Sequence, residues 1–206
     1  MQTLTGNLYT VSAPSGAGKT SLVKAAIETV NFCRLSVSHT TRAKRPKEVH
    51  GHDYHFVSTD DFAELIRQKA FLEHAKVFDH FYGTSEAAVD EVLQSGFDVI
   101  LEIDWQGALQ IKQRFPDSIA IFILPPSIDV LLNRLINRQQ DDEAIIQRRM
   151  RDAKVEISHY KASDYLIVND HFETALSEFK AILVSQRLKT DKQIQRQQIL
   201  LQQLLT

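Results

Sequence analysis

The sequence predicts an α/β fold: a parallel central sheet flanked by helices in three layers. Three observations predict it. An apolar run, Leu8-Tyr9-Thr10-Val11, passes through a glycine-bearing turn, Ala13 to Thr20, into a helix-like stretch, Ser21 to Ile27. Phe97 to Asp104, Ser118 to Leu124 and Tyr165 to Val168 are nearly continuous apolar runs, the pattern of strands buried on both faces. Helical stretches separate these runs, as crossovers between parallel strands require.

The elements follow in order. Arg34 to Ser38 alternates apolar and polar residues and predicts a short strand, whereas His39 to His52 is polar and basic with no apolar period and predicts a loop. Asp53 to Val57 reads as a strand, and Thr59 to Lys69 as a helix whose Thr59, Asp60 and Asp61 suit its N-terminus. Phe71 to Phe78 is the next expected strand. Phe81-Tyr82-Gly83-Thr84 reads as a turn opening a new helix, Ser85 to Gln94, which Ser95-Gly96 stops. Pro125-Pro126 closes the strand that ends at Leu124. Asn133 to Tyr160 is helical and rich in arginine, and its small apolar content predicts a mobile cover rather than core. The glutamine-rich tail spaces Leu188, Ile194, Leu201, Leu204 and Leu205 for a helix, either packed or a candidate for subunit contacts. The expected division is one domain with a core of residues 1–37, 85–132 and 161–190. An inserted lobe takes 38–84, a helical lid 133–160 and a helical tail 191–206.

Composition narrows the class. A chain of 206 residues with 43% apolar and 24% charged residues can bury one sizeable core. A net charge of −2 disfavours a protein wrapped in nucleic acid. The single cysteine, Cys33, leaves no internal disulfide and suits a reducing compartment. Met1 to Asn7 lack the features of a signal peptide, and no run nears the ~20 apolar residues of a membrane span. The expectation is a cytoplasmic protein with no membrane or nucleic-acid partner.

The turn Ala13-Pro14-Ser15-Gly16-Ala17-Gly18-Lys19-Thr20 carries the chemistry. Between a strand and a helix, this spacing makes a phosphate-binding loop, a P-loop, whose successive N–H groups address one anion with the helix dipole behind them. Gly16 and Gly18 allow close backbone approach and positive φ. Lys19 is expected on the β- and γ-phosphates of a nucleoside triphosphate, and the Thr20 hydroxyl on its Mg²⁺. Ala13 stands where a glycine is usual, the smallest possible departure.

The second substrate is legible in the inserted lobe. Ser38-His39-Thr40-Thr41-Arg42-Ala43-Lys44-Arg45-Pro46, Gly51-His52-Asp53-Tyr54, Phe71-Leu72-Glu73-His74-Ala75 and Tyr82-Gly83-Thr84 together resemble the nucleotide-binding lobe of guanylate kinases. Asp104-Trp105-Gln106-Gly107 and Ile167-Val168-Asn169-Asp170 are similar to two further signatures of that family, so the resemblance spans nearly the whole chain. It implies phosphoryl transfer from ATP to GMP with Mg²⁺, on a P-loop fold with an inserted GMP lobe and a lid. Glu73 is implied as the carboxylate accepting both guanine donors, with Ser38 and Thr84 on the remaining base atoms. Arg42, Arg45, Tyr54 and Tyr82 are implied at the GMP phosphate, and Gly83, Glu102 and Asp104 complete that site. Arg138 and Arg149 match the lid arginines, Arg134 is a further candidate for ATP, and Asn169 matches the residue at adenine. Lys19, Arg42, Arg138 and Arg149 form the implied catalytic set.

Two further departures stand out. Glu102 occupies a position where aspartate is usual, which favours organising a Mg²⁺-bound water over direct ligation. Gln139 follows Arg138 where glycine is common. His50, His52 and His55 surround Asp53, but in a strand His55 would face away from the other two, so no zinc site is expected. Two competing readings remain: a kinase for another nucleoside monophosphate, and a binding module that has lost catalysis. Glu73 opposes the first, because guanine is the base with adjacent donors for a carboxylate. Lys19, Thr20 and the arginines oppose the second.

Overall fold

The structure, a computed structural model, describes residues 6–137 and 143–206. Its core is a five-stranded parallel sheet made of β1 (Leu8–Ser12), β2 (Cys33–Leu35), β7 (Asp98–Glu102), β8 (Ile119–Leu124) and β9 (Tyr165–Val168), in the order β2-β7-β1-β8-β9. Alternation along the strands splits the apolar side chains between two faces. Tyr9, Val11 and Ile100 join α1 (Lys19–Thr29) and α7 (Phe172–Arg187) through Leu22, Val23, Phe179 and Leu183. Leu8, Val99 and Leu101 join α3 (Glu86–Gln94) and α4 (Trp105–Arg114) through Val89 and Ile111. Each fully buried Leu, Ile or Phe contributes ~1.5–3 kcal/mol. The result is the expected three layers.

The second sheet is smaller and mixed. It contains β3 (His39–Thr40), β4 (His55–Phe56), β5 (Phe71–Val77) and β6 (His80–Ser85), ordered β4-β3-β6-β5, with α2 (Thr59–Arg67) against it. Ser58 caps α2, its hydroxyl accepting from Asp61 N at 3.0 Å. Several expected boundaries move. The strand expected over Arg34 to Ser38 ends at Leu35, where the chain leaves the sheet edge. His39-Thr40, expected in a loop, pairs with both β4 and β6. Of the expected strand Asp53 to Val57, His55-Phe56 pairs with β3, and Tyr54 makes a single bridge to His50.

The largest correction concerns Phe81 to Thr84, which is neither a turn nor a helix start. These residues lie in β6, antiparallel to β5, and the reversal falls earlier, with Phe78 at φ 54°. Gly83 suggests a turn but is small for another reason: a Cβ there would meet Phe62 and Phe71 at 3.1 Å.

The arginine-rich stretch also differs from expectation. Its first residues belong to α5 (Ile128–Asn137), whose Leu131 and Leu135 are buried, and the rest form α6 (Glu143–Ser158), where Ile146 and Ala153 are buried. Leu131 and Leu135 reach the P-loop, 3.0 and 3.2 Å from where a Gly16 Cβ would stand. At the far end of α6, the His159 ring stacks on Trp105, centroids 3.6 Å apart. The tail forms α8 (Thr190–Arg196) and α9 (Gln198–Leu205), with Ile199, Leu204 and Leu205 exposed.

One buried ion pair ties the core to the last long helix. Asp98 is fully buried and accepts from Asn7 N at 2.8 Å and from Arg187 Nε and Nη2 at 3.0 and 3.1 Å. Arg187 also donates to Gly96 O and Phe32 O and lies 3.9 Å from the Phe32 ring centroid. Asp98→Ala leaves this guanidinium without its anion, and the expected loss is ~3–5 kcal/mol. Urea unfolding followed by circular dichroism checks this; a loss under ~1 kcal/mol would show that the pair contributes little.

Candidate active site

The P-loop connects β1 to α1, and its geometry follows from its glycines. Gly16 and Gly18 have φ of 97° and 91°, a region that favours glycine, and Gly18 is the N-cap of α1. The loop is braced from behind. Asn169, 5% exposed, donates from Nδ2 to Ala17 O at 2.7 Å, and Arg134 Nη2 donates to Asn169 O at 3.0 Å. Gly18 leaves room for this brace, since a Cβ would fall 2.3 Å from Asn169 Nδ2. Gly16, Gly18, Arg134 and Asn169 line a shallow pocket of about 380 Å³.

On the inner side, Lys19 Nζ donates to Ile103 O at 3.1 Å, just beyond β7. The Thr20 hydroxyl donates to Glu102 Oε1. The two residues expected at Mg²⁺ therefore meet, although Thr20 follows β1 and Glu102 ends β7. A hydroxyl and a carboxylate are hard oxygen donors, and Mg²⁺ takes its other ligands from phosphates and water, so the pair fits that ion.

A cavity of about 240 Å³ joins the P-loop, from Ala13 to Thr20, to Ser38, Tyr54, Glu73, Tyr82 and Asp104. Glu73 is 3% exposed, and its Oε1 accepts from the Thr84 hydroxyl at 2.5 Å. Burial pushes its carboxyl up to about 7; the Thr84 hydroxyl opposes this, and Asp104 adds to it. Gly107 in α4 makes room for the carboxylate, because a Cβ there would lie 2.4 Å from Oε2. Asp104 caps α4 by accepting from Gly107 N at 3.0 Å. Strand alternation turns Tyr82 and Thr84 toward this side, while the Cα of Gly83 faces Phe62 and Phe71 on the other.

A wider cleft of about 1070 Å³ continues past Tyr54 and Tyr82 to Arg42, Arg45 and Arg149. Glu48, which sequence reasoning missed, grips Arg42 with both oxygens at 2.7 and 3.1 Å and accepts from Arg45 N at 2.8 Å. Burial pushes Tyr54 up to about 12, with Glu102 adding to the effect. On α6, Arg149 lies 5.8 Å from the Phe78 ring centroid, and Arg148 pairs with Asp79 at 3.0 Å. Arg138 and Gln139 lie outside the described residues. Glu156 of α6 was also missed; it accepts from Ser15 N at 3.2 Å. Its signal was its place seven residues after Arg149, about two helical turns, on the same side of the helix.

The histidines rearrange relative to expectation. Gly51, at φ 80°, turns the chain so that His50 reaches His55, ring centroids 5.7 Å apart, while His52 stands beside Asp53. His39 stacks on His55 at 4.6 Å, and burial beside His55 and His50 pushes it down to about 4. Among the described residues, no group of three or more His, Cys, Asp or Glu side chains is arranged to hold a metal ion.

Comparison with known proteins decides the family. The sequence model of the guanylate kinase family matches residues 5–186. The chain is 58% identical over 204 residues to a guanylate kinase of Saccharophagus degradans, covering 99% of this chain and 100% of that one. The chain belongs to the guanylate kinase family. A guanylate kinase of Escherichia coli strain K12 is 54% identical over 202 residues, covering 97% of this chain and 98% of its own. The crystal structure of guanylate kinase from Anaplasma phagocytophilum superposes with a TM-score of 0.77 at 34% identity, covering 92% of this chain and 90% of that one. In this guanylate kinase, the P-loop and the buried carboxylate of Glu73 face one cavity.

Proposed function

We propose that the cleft carries phosphoryl transfer from ATP to GMP, giving ADP and GDP, with the residues above in the following roles. The observation supporting this most directly is that Lys19, which opens α1, and Glu73, in β5 of the second sheet, line one cavity. The P-loop amides and Lys19 hold the triphosphate, while Arg134 and Asn169 flank the adenosine side. Glu73 accepts from the two guanine donors, with Ser38 and Thr84 beside it. Arg42, Arg45, Tyr54 and Tyr82 hold the GMP phosphate, which leaves Glu48 as the residue that aims Arg42.

The nucleophile is already an anionic phosphate oxygen, so the chain supplies alignment and charge neutralisation, and no general base. One bond forms from that oxygen to the γ-phosphorus while the bond to the β–γ bridging oxygen breaks. Arg149, carried by α6, covers the transferring group and helps exclude water, which would otherwise hydrolyse ATP. Thr20 and Glu102 would hold Mg²⁺, which would supply charge neutralisation for the triphosphate. No helix among the described residues is long and apolar enough to cross a membrane, and Cys33 is free and buried. A cytoplasmic address follows from this reading, with no nucleic-acid partner and with the exposed apolar face of α9 as the subunit contact.

One assay tests substrate and base reading together: ADP release from ATP and Mg²⁺ with each nucleoside monophosphate, at pH 6 to 8. GMP alone should support fast turnover. The Glu73 carboxyl, raised to about 7, accepts both guanine donors only when ionised. The KM for GMP should therefore fall as pH rises from 6 to 8, beyond the change expected from GMP's own phosphate, which titrates near ~6. Equal turnover with AMP, or a KM that follows the phosphate alone, would contradict the proposal.

A further inference from the structure

Phosphoryl transfer gives no use to a carboxylate beside the γ-phosphate, since such a group repels the donor. Glu156 nevertheless reaches the P-loop. It is half-buried, lines the same cavity as Lys19, and accepts from Ser15 N, one of the P-loop amides, at 3.2 Å. The charged groups facing it are Lys19 of the P-loop, Asp104 beyond β7 and Asp152 of its own helix. The amide and Lys19 favour the anion; Asp104 and Asp152 disfavour it. Burial is the largest influence and pushes the carboxyl up to about 7.

A P-loop addresses an anion with converging amides, and a carboxylate can use one of them much as a phosphate oxygen does. We propose that Glu156 is an internal competitor of ATP: its side chain takes the P-loop amide in the nucleotide-free protein and yields it to the terminal phosphate. The proposal rests on the P-loop reading of the donor site. It makes the α6 contact with Ser15 N one that donor binding breaks.

The consequence has a sign opposite to that of an ordinary binding residue. Removing the charge should strengthen ATP binding. The advantage should also grow with pH, because the competing anion becomes more populated as pH rises through about 7. ATP's own titration cancels when wild type and variant are compared at each pH.

Isothermal calorimetry of the full chain with ATP and Mg²⁺ at pH 6, 7 and 8 tests this, using wild type, Glu156→Gln and Glu156→Ala, with GMP as the control ligand. Both variants should bind ATP about tenfold more tightly than wild type at pH 8, equivalent to ~1.4 kcal/mol. At pH 6 the difference should shrink to about twofold or less, and GMP affinity should not change. Weaker or unchanged ATP binding in both variants at pH 8 would instead make Glu156 a support of the loop and overturn the proposal. A ratio independent of pH would overturn it as well. If the unaltered protein fails to bind ATP, both this proposal and the donor-site reading fall.

Discussion

Replacing Lys19 with alanine should lower turnover by at least ~100-fold while barely changing the melting temperature. The fold makes little use of this side chain: Nζ donates to Ile103 O and forms no ion pair with a carboxylate among the described residues. The backbone loop is held independently by Gly16, Gly18 and the Asn169 brace on Ala17. What the substitution removes is the ammonium proposed to hold the β/γ-phosphates. Loss of one preorganised group that stabilises developing charge typically costs ~2.7–4 kcal/mol of barrier, ~10²–10³ in rate. Steady-state kinetics with saturating GMP, together with a thermal melt, check both halves. Near-normal turnover in Lys19→Ala would sink the P-loop mechanism.

Changing Glu73 to glutamine should lower kcat/KM for GMP at least ~100-fold and leave the apparent affinity for ATP nearly unchanged. The shape is preserved, but one acceptor becomes an NH₂ donor facing a guanine donor in a buried site. A good bidentate base contact is worth ~1–3 kcal/mol, and an unpaired buried polar group adds to the loss. At ~1.4 kcal/mol per tenfold, the sum exceeds two decades. Thr84 sharpens the expectation, because its hydroxyl already holds Oε1 and fixes which way the carboxyl faces. The preference for GMP over AMP should shrink in the same variant. Unchanged GMP phosphorylation would remove Glu73 from base reading.

The residues that were legible in the sequence are those whose chemistry is carried by local spacing. Gly16, Gly18, Lys19 and Thr20 sit in a turn whose function depends on consecutive backbone groups, so their order alone specifies it. The apolar runs of β7 and β8 announced buried parallel strands, whereas β9, which reads the same way, lies at the sheet edge with Leu166 and Val168 exposed. The second sheet was harder to read, because β3 and β4 are two residues each and take their conformation from neighbours. β6 was misread because Gly83 looks like punctuation until Phe62 and Phe71 are seen to need its space. Glu48 and Glu156 escaped because a carboxylate that grips an arginine or a loop amide looks, in sequence, like any solvated acid. The burial of Leu135, Ile146 and Ala153 was hidden by the surrounding arginines, which outnumber them.

Gly107 shows where stability and discrimination part company. A glycine inside a helix costs about 1 kcal/mol relative to alanine, so a programme of thermostabilisation that replaces helical glycines would choose this position early. A methyl there would meet the Glu73 carboxylate at 2.4 Å and force it to turn. The stronger helix would come with a blurred choice of base. With Glu73 in the proposed base-reading role, a demand for heat resistance and a demand for fidelity would pull this one position in opposite directions.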